Sequence, residues 1–185
     1  ALQWTISHPE RVRHSIVIAC APNLSAQNIA FNEVARQAII TDPDSHEGHF
    51  EAHGTKPRRG LRVARMGGHI TYLSEQAMAE KFGRRIQEGD EPRRRFGVDF
   101  EVESYLEHQA LRFAETFDAN AYLYLSRAMD RFDLAEHGGG SLAAAFARFG
   151  VQRSLVLGVD TDMLFPIGQQ REIAEHLKAA GGSVE

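Results

Sequence analysis

Residues 16–20 of the chain read Ile-Val-Ile-Ala-Cys, a short apolar run without polar alternation. Such runs are typical of strands in parallel sheets, where both faces are buried. Residues 1–8 precede the run as a helix-compatible segment, which Pro9 ends. A second run of the same kind, residues 154–159 (SLVLGV), lies near the other end of the chain. The two runs predict two parallel strands of one α/β sheet.

The segment between these strands predicts only helices and loops. Amphipathic patterns and caps indicate helices over residues 23–40, 61–73, 75–87, 102–117, 119–129 and 142–149, with polar loops over 41–60 and 88–95. Residues 168–180 predict a closing helix. The insertion is far longer than an ordinary βαβ crossover, so it indicates a helical lid. We therefore expect an α/β fold with a lid (23–150) inserted between two parallel strands, which belong to core segments 1–22 and 151–185.

Composition narrows the class of protein and its partners. The 185 residues carry a net charge of −4, which argues against a nucleic-acid or membrane-surface partner, because such a partner requires a basic field. No stretch is apolar and long enough to span a bilayer. Cys20 is the only cysteine, which excludes an intrachain disulfide and fits a reducing, cytoplasmic location. The first residues (ALQW) resemble the middle of a helix rather than a natural start, so we expect the chain to be part of a longer protein.

Two aspartates, Asp160 and Asp162, follow the second strand. Open α/β sheets place their sites beyond the carboxyl ends of their strands. The acid of a Ser-His-Asp triad can occupy this position, where it orients the histidine. Aspartates after strands also form turns and cap helices, and the residues alone do not choose between these roles or between the two side chains.

Arg65 and Tyr72 are seven residues apart, which places them two turns along one face of a helix. An arginine beside a tyrosine hydroxyl can hold a small carboxylate, because the guanidinium binds carboxylates through a bidentate fork. Arg62 could share that face. The alternative is a solvated arginine and a packed tyrosine.

Other polar clusters predict no site. The spacing of His46, His49 and His53 would permit zinc, but the segment is polar and contains glycine, so we predict a solvated loop and no metal site. The string HGGG at residues 137–140 spells the oxyanion loop of some esterases, but it precedes a helix rather than following an early strand, which favours a flexible hinge. A Gly-x-Ser-x-Gly elbow and a glycine-rich phosphate loop are both absent, and we expect no bound cofactor.

Six blocks of sequence, in order, resemble the homoserine O-acyltransferase family of the α/β-hydrolase superfamily. They are residues 1–4 with 8–12, 24–32, 60–65 with 68–74, 102–106, 117–120 and 162–166. The resemblance implies an α/β-hydrolase fold with a helical lid and a Ser-His-Asp triad. It also implies a ping-pong reaction, in which serine takes the acyl group from acyl-CoA and the hydroxyl of L-homoserine accepts it.

Within this resemblance, Asp162 matches the triad acid, Arg65 matches the lid arginine that holds the homoserine carboxylate, and Tyr72 matches its neighbouring tyrosine. The family's serine should precede Ala1 and its histidine should follow Glu185, so we expect this chain alone to have no transferase activity. The resemblance further implies a homodimer through the lid helices. Their aromatic residues, Tyr105, Phe113, Tyr122 and Tyr124, would either line that interface or pack inside the lid.

Leu164 bears on the acyl donor. Relatives that resemble the succinyl-CoA users tend to carry an arginine two positions after the triad aspartate, where it would pair with the succinyl carboxylate. Leu164 would leave that carboxylate desolvated and unpaired, so we expect acetyl-CoA as the co-substrate. The alternatives are a homoserine O-succinyltransferase, a serine O-acyltransferase, a hydrolase of the same fold and a non-catalytic dimerising remnant.

Overall fold

The structure, a computed structural model, describes residues 2–87, 97–150 and 153–185. Three strands, His14–Ile18 (β1), Arg153–Leu157 (β2) and Ser183–Val184 (β3), form one parallel sheet in the order β1-β2-β3. Ile16 of β1 lies opposite Leu155 of β2. The two predicted strands are therefore parallel neighbours, although each begins and ends slightly earlier than predicted. The short β3 was not predicted.

Nine helices are present in the described residues. They are Leu2–Ser7 (α1), Ala26–Ile40 (α2), Arg58–Ile70 (α3), Glu75–Lys81 (α4), Glu101–Thr116 (α5), Ala119–Arg131 (α6), Leu134–Gly138 (α7), Leu142–Ala147 (α8) and Ile167–Ala179 (α9). The predicted loop 41–60 contains two short 3-10 helices, Pro43–Gly48 and Phe50–His53. The predicted loop 88–95 lies outside the described residues. None of the described helices is long and apolar enough to cross a membrane.

The chain divides into two compact units. The sheet unit comprises Ala1–Asn28 and Ala128–Glu185, and the helical unit comprises Ile29–Arg127. Each unit has its own apolar core. The predicted domain boundaries, 1–22, 23–150 and 151–185, stay a prediction.

The sheet unit packs its helices against one face of the sheet. Val17 of β1 is 2% exposed and belongs to a core with residues of α1, α7, α8 and α9, namely Leu2, Ile6, Leu134, Ala145, Phe146, Ile173 and Leu177. The alternate residues Ile16 and Ile18 are 67% and 57% exposed. Successive strand residues point to opposite faces, so the prediction that both faces are buried is wrong within the described part of the chain.

The corner between α7 and α8 is built from the glycine tract 138–140. A Cβ on Gly138 would lie 2.1 Å from the Cβ of Ala145, so only glycine permits this close approach. Gly139 and Gly140 have φ angles of 111° and 96°, which other residues rarely adopt. Ser141 then caps α8, since its Oγ accepts a hydrogen bond from Ala144 N at 3.1 Å. Gly138 therefore lies in a packed turn, whereas a Cβ on Gly140 would meet nothing within 4 Å, and the predicted flexibility of the tract stays a prediction.

The helical unit is centred on Ile39 of α2 and Leu61 of α3, which are both fully buried. Gly60 allows these helices to meet, because a Cβ there would lie 2.3 Å from the carbonyl oxygen of Ala38. The buried carboxylate of Asp42 accepts a hydrogen bond from Gly60 N at 2.7 Å, which fixes the start of α3.

The buried face of α2 is narrower than its sequence predicts, because the pattern allows one apolar face made of Ile29, Val34, Ala35, Ala38 and Ile39. Ala35 and Ile39 are buried as expected, but Ile29 and Val34 are 37% and 67% exposed. Apolar residues therefore occupy both faces of this helix.

Candidate functional site

Asp162 lies in the turn between β2 and α9. Its Oδ1 accepts hydrogen bonds from the backbone N–H groups of Leu164 and Phe165, both at 2.9 Å, and its own N–H donates to Val159 O at 3.2 Å. These bonds hold the carboxylate in one orientation. No described residue donates to its Oδ2, which leaves one oxygen fixed in direction and able to accept a further hydrogen bond. A triad acid needs this arrangement, because it must orient the histidine without moving itself.

The structure distinguishes the two aspartates that the sequence left open. Asp160 is exposed and forms no hydrogen bond with the described residues. Asp162 forms the turn, so the turn-forming interpretation is correct for it, and its role as the triad acid stays a prediction. The two interpretations are compatible, since the turn uses only Oδ1.

Three buried or half-buried amide side chains hold the segments that follow β1 and β2. Asn28 donates through Nδ2 to Leu164 O at 2.8 Å, Gln170 donates through Nε2 to Cys20 O at 2.8 Å, and Gln169 donates through Nε2 to Asn23 O at 3.2 Å. The side-chain oxygens of all three amides are buried without a hydrogen-bond partner. Sequence reasoning missed these residues, because each bond joins positions more than a hundred residues apart.

Arg65 and Tyr72 come together as predicted. Arg65 lies on α3, and its Nη1 donates to Tyr72 Oη at 3.4 Å. Its guanidinium carbon lies 4.9 Å from the ring centre of Phe113 and 5.6 Å from that of Tyr72. Cation–π contacts of this kind fix the plane of the guanidinium. Arg65 has no carboxylate partner among the described residues, and its Nε is buried without a hydrogen bond. It is therefore a half-buried cation that can accept an anion.

Arg62 does not share this role. Its Nη2 pairs with Glu107 Oε1 at 2.9 Å, across to α5. Of the two arginines, only Arg65 keeps its charge available for a ligand.

His69 adjoins Arg65 and Tyr72, and no sequence pattern singled it out. The side chain is buried, its Nδ1 lies 3.0 Å from Tyr105 Oη, and its ring centre lies 5.1 Å from that of Tyr72. Burial lowers the pKa of His69, and the charges of Arg65 and Lys81 lower it further. The ring is therefore neutral near pH 7. Its position one helical turn after Arg65 is the signal that could have revealed it.

Most aromatic residues of the predicted lid interface pack inside the helical unit. Phe113 meets the ring of Tyr122 edge-on at 6.2 Å, and Tyr105 contacts Phe82 at 4.9 Å. Burial is also the main reason why the pKa of Tyr122 is raised. Tyr124 is the exception among the four, with 78% of its surface exposed. Only Tyr124 therefore fits the predicted dimer interface, which stays a prediction.

The histidine-rich segment brings two rings together. His46 and His53 stack with their centres 4.0 Å apart, and both are exposed. Within residues 2–87, 97–150 and 153–185, no three His, Cys, Asp or Glu side chains are grouped as metal ligands. The expectation that the chain holds no metal stays a prediction.

Comparison with known proteins identifies the family. The homoserine O-succinyltransferase of Leptothrix cholodnii is 55% identical over 177 residues, which cover 96% of this chain and 47% of that protein. The homoserine O-acetyltransferase of Bradyrhizobium diazoefficiens is 52% identical over 184 residues, which cover 99% of this chain and 46% of that protein. The chain belongs to the homoserine O-acyltransferase family. It spans about half the length of these relatives, and no family model matches it.

Solved structures agree with this assignment at the level of the fold. A homoserine O-acetyltransferase from Bacillus anthracis superposes with a TM-score of 0.85 and 22% identity, covering 100% of this chain and 48% of that one. Esterase E22 superposes with a TM-score of 0.82 and 22% identity, covering 100% of this chain and 50% of that one. The predicted α/β-hydrolase fold is confirmed. Acyltransferases and esterases share it, so the fold alone does not define the reaction.

Proposed function

We propose that the full-length protein transfers an acyl group from acyl-CoA to the hydroxyl of L-homoserine. The observation that carries this proposal is the Asp162 turn, which holds Oδ1 and leaves Oδ2 able to accept a hydrogen bond. The chain's membership of the homoserine O-acyltransferase family supplies the reaction. In this proposal, the nucleophilic serine and the general-base histidine come from segments outside these 185 residues.

Asp162 acts through the histidine. Its Oδ2 accepts the Nδ1–H of the imidazole, so the opposite nitrogen faces the serine hydroxyl and takes its proton. The serine oxygen attacks the thioester carbonyl, the carbon–sulfur bond breaks, and the coenzyme A thiolate leaves with the proton from the imidazolium. The histidine then removes the proton of the homoserine hydroxyl, whose oxygen attacks the acyl-serine carbonyl. The bond between the acyl carbon and the serine oxygen breaks, the imidazolium returns its proton to that oxygen, and the homoserine ester is released. The fixed carboxylate stabilises the imidazolium in both half-reactions.

Arg65 and Tyr72 bind the acceptor in this proposal. The guanidinium pairs with the carboxylate of homoserine through two N–H groups, and the Tyr72 hydroxyl donates a further hydrogen bond. Support comes from the missing acidic partner of Arg65 among the described residues and from its fixed plane above Phe113. The same pair would also bind serine, which makes serine O-acylation the second acceptor to test.

We infer that the donor is acetyl-CoA. Leu164 follows Asp162 by two positions, and its half-buried aliphatic side chain offers no cation to a succinyl carboxylate. Succinyl-CoA is the second candidate, because the Leptothrix relative at 55% identity is named a homoserine O-succinyltransferase.

The test measures thiol release by the full-length protein from acetyl-CoA and from succinyl-CoA, with homoserine, with serine and without an acceptor. We expect homoserine-dependent release from acetyl-CoA. Asp162→Asn should lower kcat by about 10⁴-fold, as the equivalent change does in a Ser-His-Asp protease, because the amide reverses the histidine tautomer. Asp160→Asn is the matched control and should leave kcat within about 2-fold, since exposed side chains away from the chemistry change little.

Other outcomes would redirect the proposal. Release from succinyl-CoA alone would keep the family and refute the role of Leu164. Release without any acceptor would indicate a hydrolase, and a full rate with serine would change the acceptor. Equal losses in the two aspartate variants would remove Asp162 from the triad.

We further propose that the 185 residues alone have no transferase activity, that the complete enzyme is a cytoplasmic homodimer, and that the dimer interface includes the exposed Tyr124. Thiol release by the isolated chain would contradict the first statement. A non-catalytic dimerising remnant would instead give no activity in the full-length protein.

A further inference from the structure

We propose that Asn28, at the start of α2, is a positioning residue that fixes the orientation of the Asp162 carboxylate. The inference rests on the proposed function, because it assumes that Asp162 is the triad acid. Neither the sequence blocks that identify the family nor the proposed chemistry of the triad assigns a role to Asn28.

The backbone of Leu164 links the two side chains. Its N–H donates to Asp162 Oδ1 at 2.9 Å, and its C=O accepts from Asn28 Nδ2 at 2.8 Å. One residue is thus held at both ends, by the acid on one side and by the amide on the other. Rotation of its backbone would remove one of the two hydrogen bonds that hold Oδ1. Asn28 therefore acts on the carboxylate through the backbone of a single residue.

Asn28 is itself held in place. It is 3% exposed, and its backbone N–H donates to Ser25 Oγ at 3.2 Å, in the first turn of α2. The orientation of the amide is unambiguous, because a carbonyl oxygen can only accept and so must face the amide nitrogen. Hydrogen bonding thus connects Ser25, Asn28, Leu164 and Asp162 in one series.

The buried side-chain oxygen of Asn28 indicates what the residue is for. Oδ1 has no hydrogen-bond partner among the described residues. An unsatisfied buried acceptor is unfavourable, and an aliphatic residue of similar size would avoid it. The polar contact of the side chain that offsets this cost is the bond to Leu164 O. An amide at this position is therefore explained by its donor group.

The mechanism predicts how activity depends on Asn28. Without the donor, the Leu164 backbone is free to rotate and the carboxylate no longer faces the histidine in a fixed direction. The imidazolium then loses part of its electrostatic stabilisation, so the apparent pKa of the histidine falls. Binding of homoserine and of acyl-CoA does not involve this bond, so KM should change little.

The experiment compares Asn28→Ala, the isosteric Asn28→Asp and Gln169→Ala in the full-length enzyme. Gln169 is the matched control, because it donates an equivalent bond to a backbone carbonyl of the sheet unit, Asn23 O, which is not bonded to Asp162. Steady-state thiol release gives kcat and both KM values, and the pH dependence of kcat/KM gives the apparent pKa of the base.

We expect Asn28→Ala to lower kcat by about 10- to 100-fold, because a displacement of about 1 Å in a catalytic group can have an effect of that size. Both KM values should stay within about 2-fold, and the basic group should titrate at lower pH. Asn28→Asp keeps the volume of the side chain but places a carboxylate oxygen against the carbonyl oxygen of Leu164. Its kcat should fall at least as far as that of Asn28→Ala, and it supplies the test if Asn28→Ala folds poorly. Gln169→Ala should keep both the wild-type kcat and the wild-type pH profile.

An unchanged kcat in both Asn28 variants would overturn the proposal. So would equal losses in Asn28→Ala and Gln169→Ala without a shift of the pH profile, because that result describes a purely structural bond. Asp162→Asn in the same assay separates the two hypotheses. If Asp162→Asn keeps its activity, the triad assignment fails; if it is inactive while Asn28→Ala is normal, only the positioning role fails.

Discussion

Replacement of Arg65 by glutamine removes the charge that the proposed acceptor site depends on. Arg65→Gln keeps a polar side chain of moderate length but has no guanidinium fork and no charge to place above Phe113. A hydrogen bond to a charged group contributes about 1.5–3 kcal/mol, so two of them at a half-buried site, partly screened by solvent, contribute about 3 kcal/mol together. That energy corresponds to about a 150-fold decrease in kcat/KM for homoserine.

The assay must separate the two half-reactions. Thiol release at saturating acetyl-CoA and varied homoserine gives kcat/KM for the acceptor, and the rapid burst of thiol without homoserine reports acylation of the serine. We expect the loss of about 150-fold only in kcat/KM for the acceptor, since Arg65 contacts no part of the donor in this proposal. Arg65→Lys should fall between the wild type and Arg65→Gln, because lysine keeps the charge and loses the bidentate geometry.

Arg62→Gln is the matched control for this prediction. Arg62 lies three residues away on the same helix, but its guanidinium already pairs with Glu107 at 2.9 Å. Its loss should leave kcat/KM for homoserine within about 3-fold, the range expected of a single exposed ion pair. An equal decrease in acylation and in acceptor transfer, or an equal effect of the two arginine variants, would refute the assignment of Arg65.

Three further predictions concern the donor, pH and assembly. Leu164→Arg should raise the ratio of succinyl-CoA to acetyl-CoA turnover by at least about 10-fold, because a new cation can pair with the succinyl carboxylate; an unchanged ratio would remove Leu164 from donor selection. His69 has a lowered pKa in the folded protein, so the unfolded chain takes up its proton first as the pH falls below about 6.5. The free energy of unfolding should therefore decrease as the pH falls from about 7 through about 6.5, and urea titrations of His69→Gln should show a weaker decrease; an identical pH dependence in the variant would mean that His69 is not its source. Tyr124→Glu should convert the proposed dimer to monomers in sedimentation velocity experiments, whereas a sedimentation coefficient equal to that of the wild type would exclude this surface from the interface.

The strands and most helices could be predicted, because their signals are local. An apolar run such as residues 16–20 needs no distant partner to be recognised, and Ser141 caps its helix through the next three residues. The strand β3 could not be predicted, since Ser183 and Val184 form too short a pattern. The prediction that Val34 is buried is wrong, because an apolar residue indicates a buried position without guaranteeing it.

The residues of the candidate site also differ in how far the sequence predicts them. Arg65 and Tyr72 are seven residues apart in sequence, so their proximity could be predicted, although Tyr72 lies beyond the end of α3 rather than two turns along it. The choice of Asp162 over Asp160 needed the family resemblance, and the structure then supplied its backbone donors. Asn28 could not be found from the sequence, because its single informative contact lies 136 residues away.

The uncovered face of the sheet affects how the chain behaves when it is produced alone. Ile16 and Ile18 of β1, with Leu155 and Leu157 of β2, present a strip of aliphatic side chains to water. β1 is also an edge strand within the described sheet, so its outward backbone groups are available to another chain. While still folded, a preparation of these residues should bind hydrophobic dyes and increase their fluorescence. Its light scattering should rise as ammonium sulfate is added, because that salt strengthens the association of apolar surfaces. Detergent below its critical micelle concentration should suppress both signals, which makes it the first additive to try in purification.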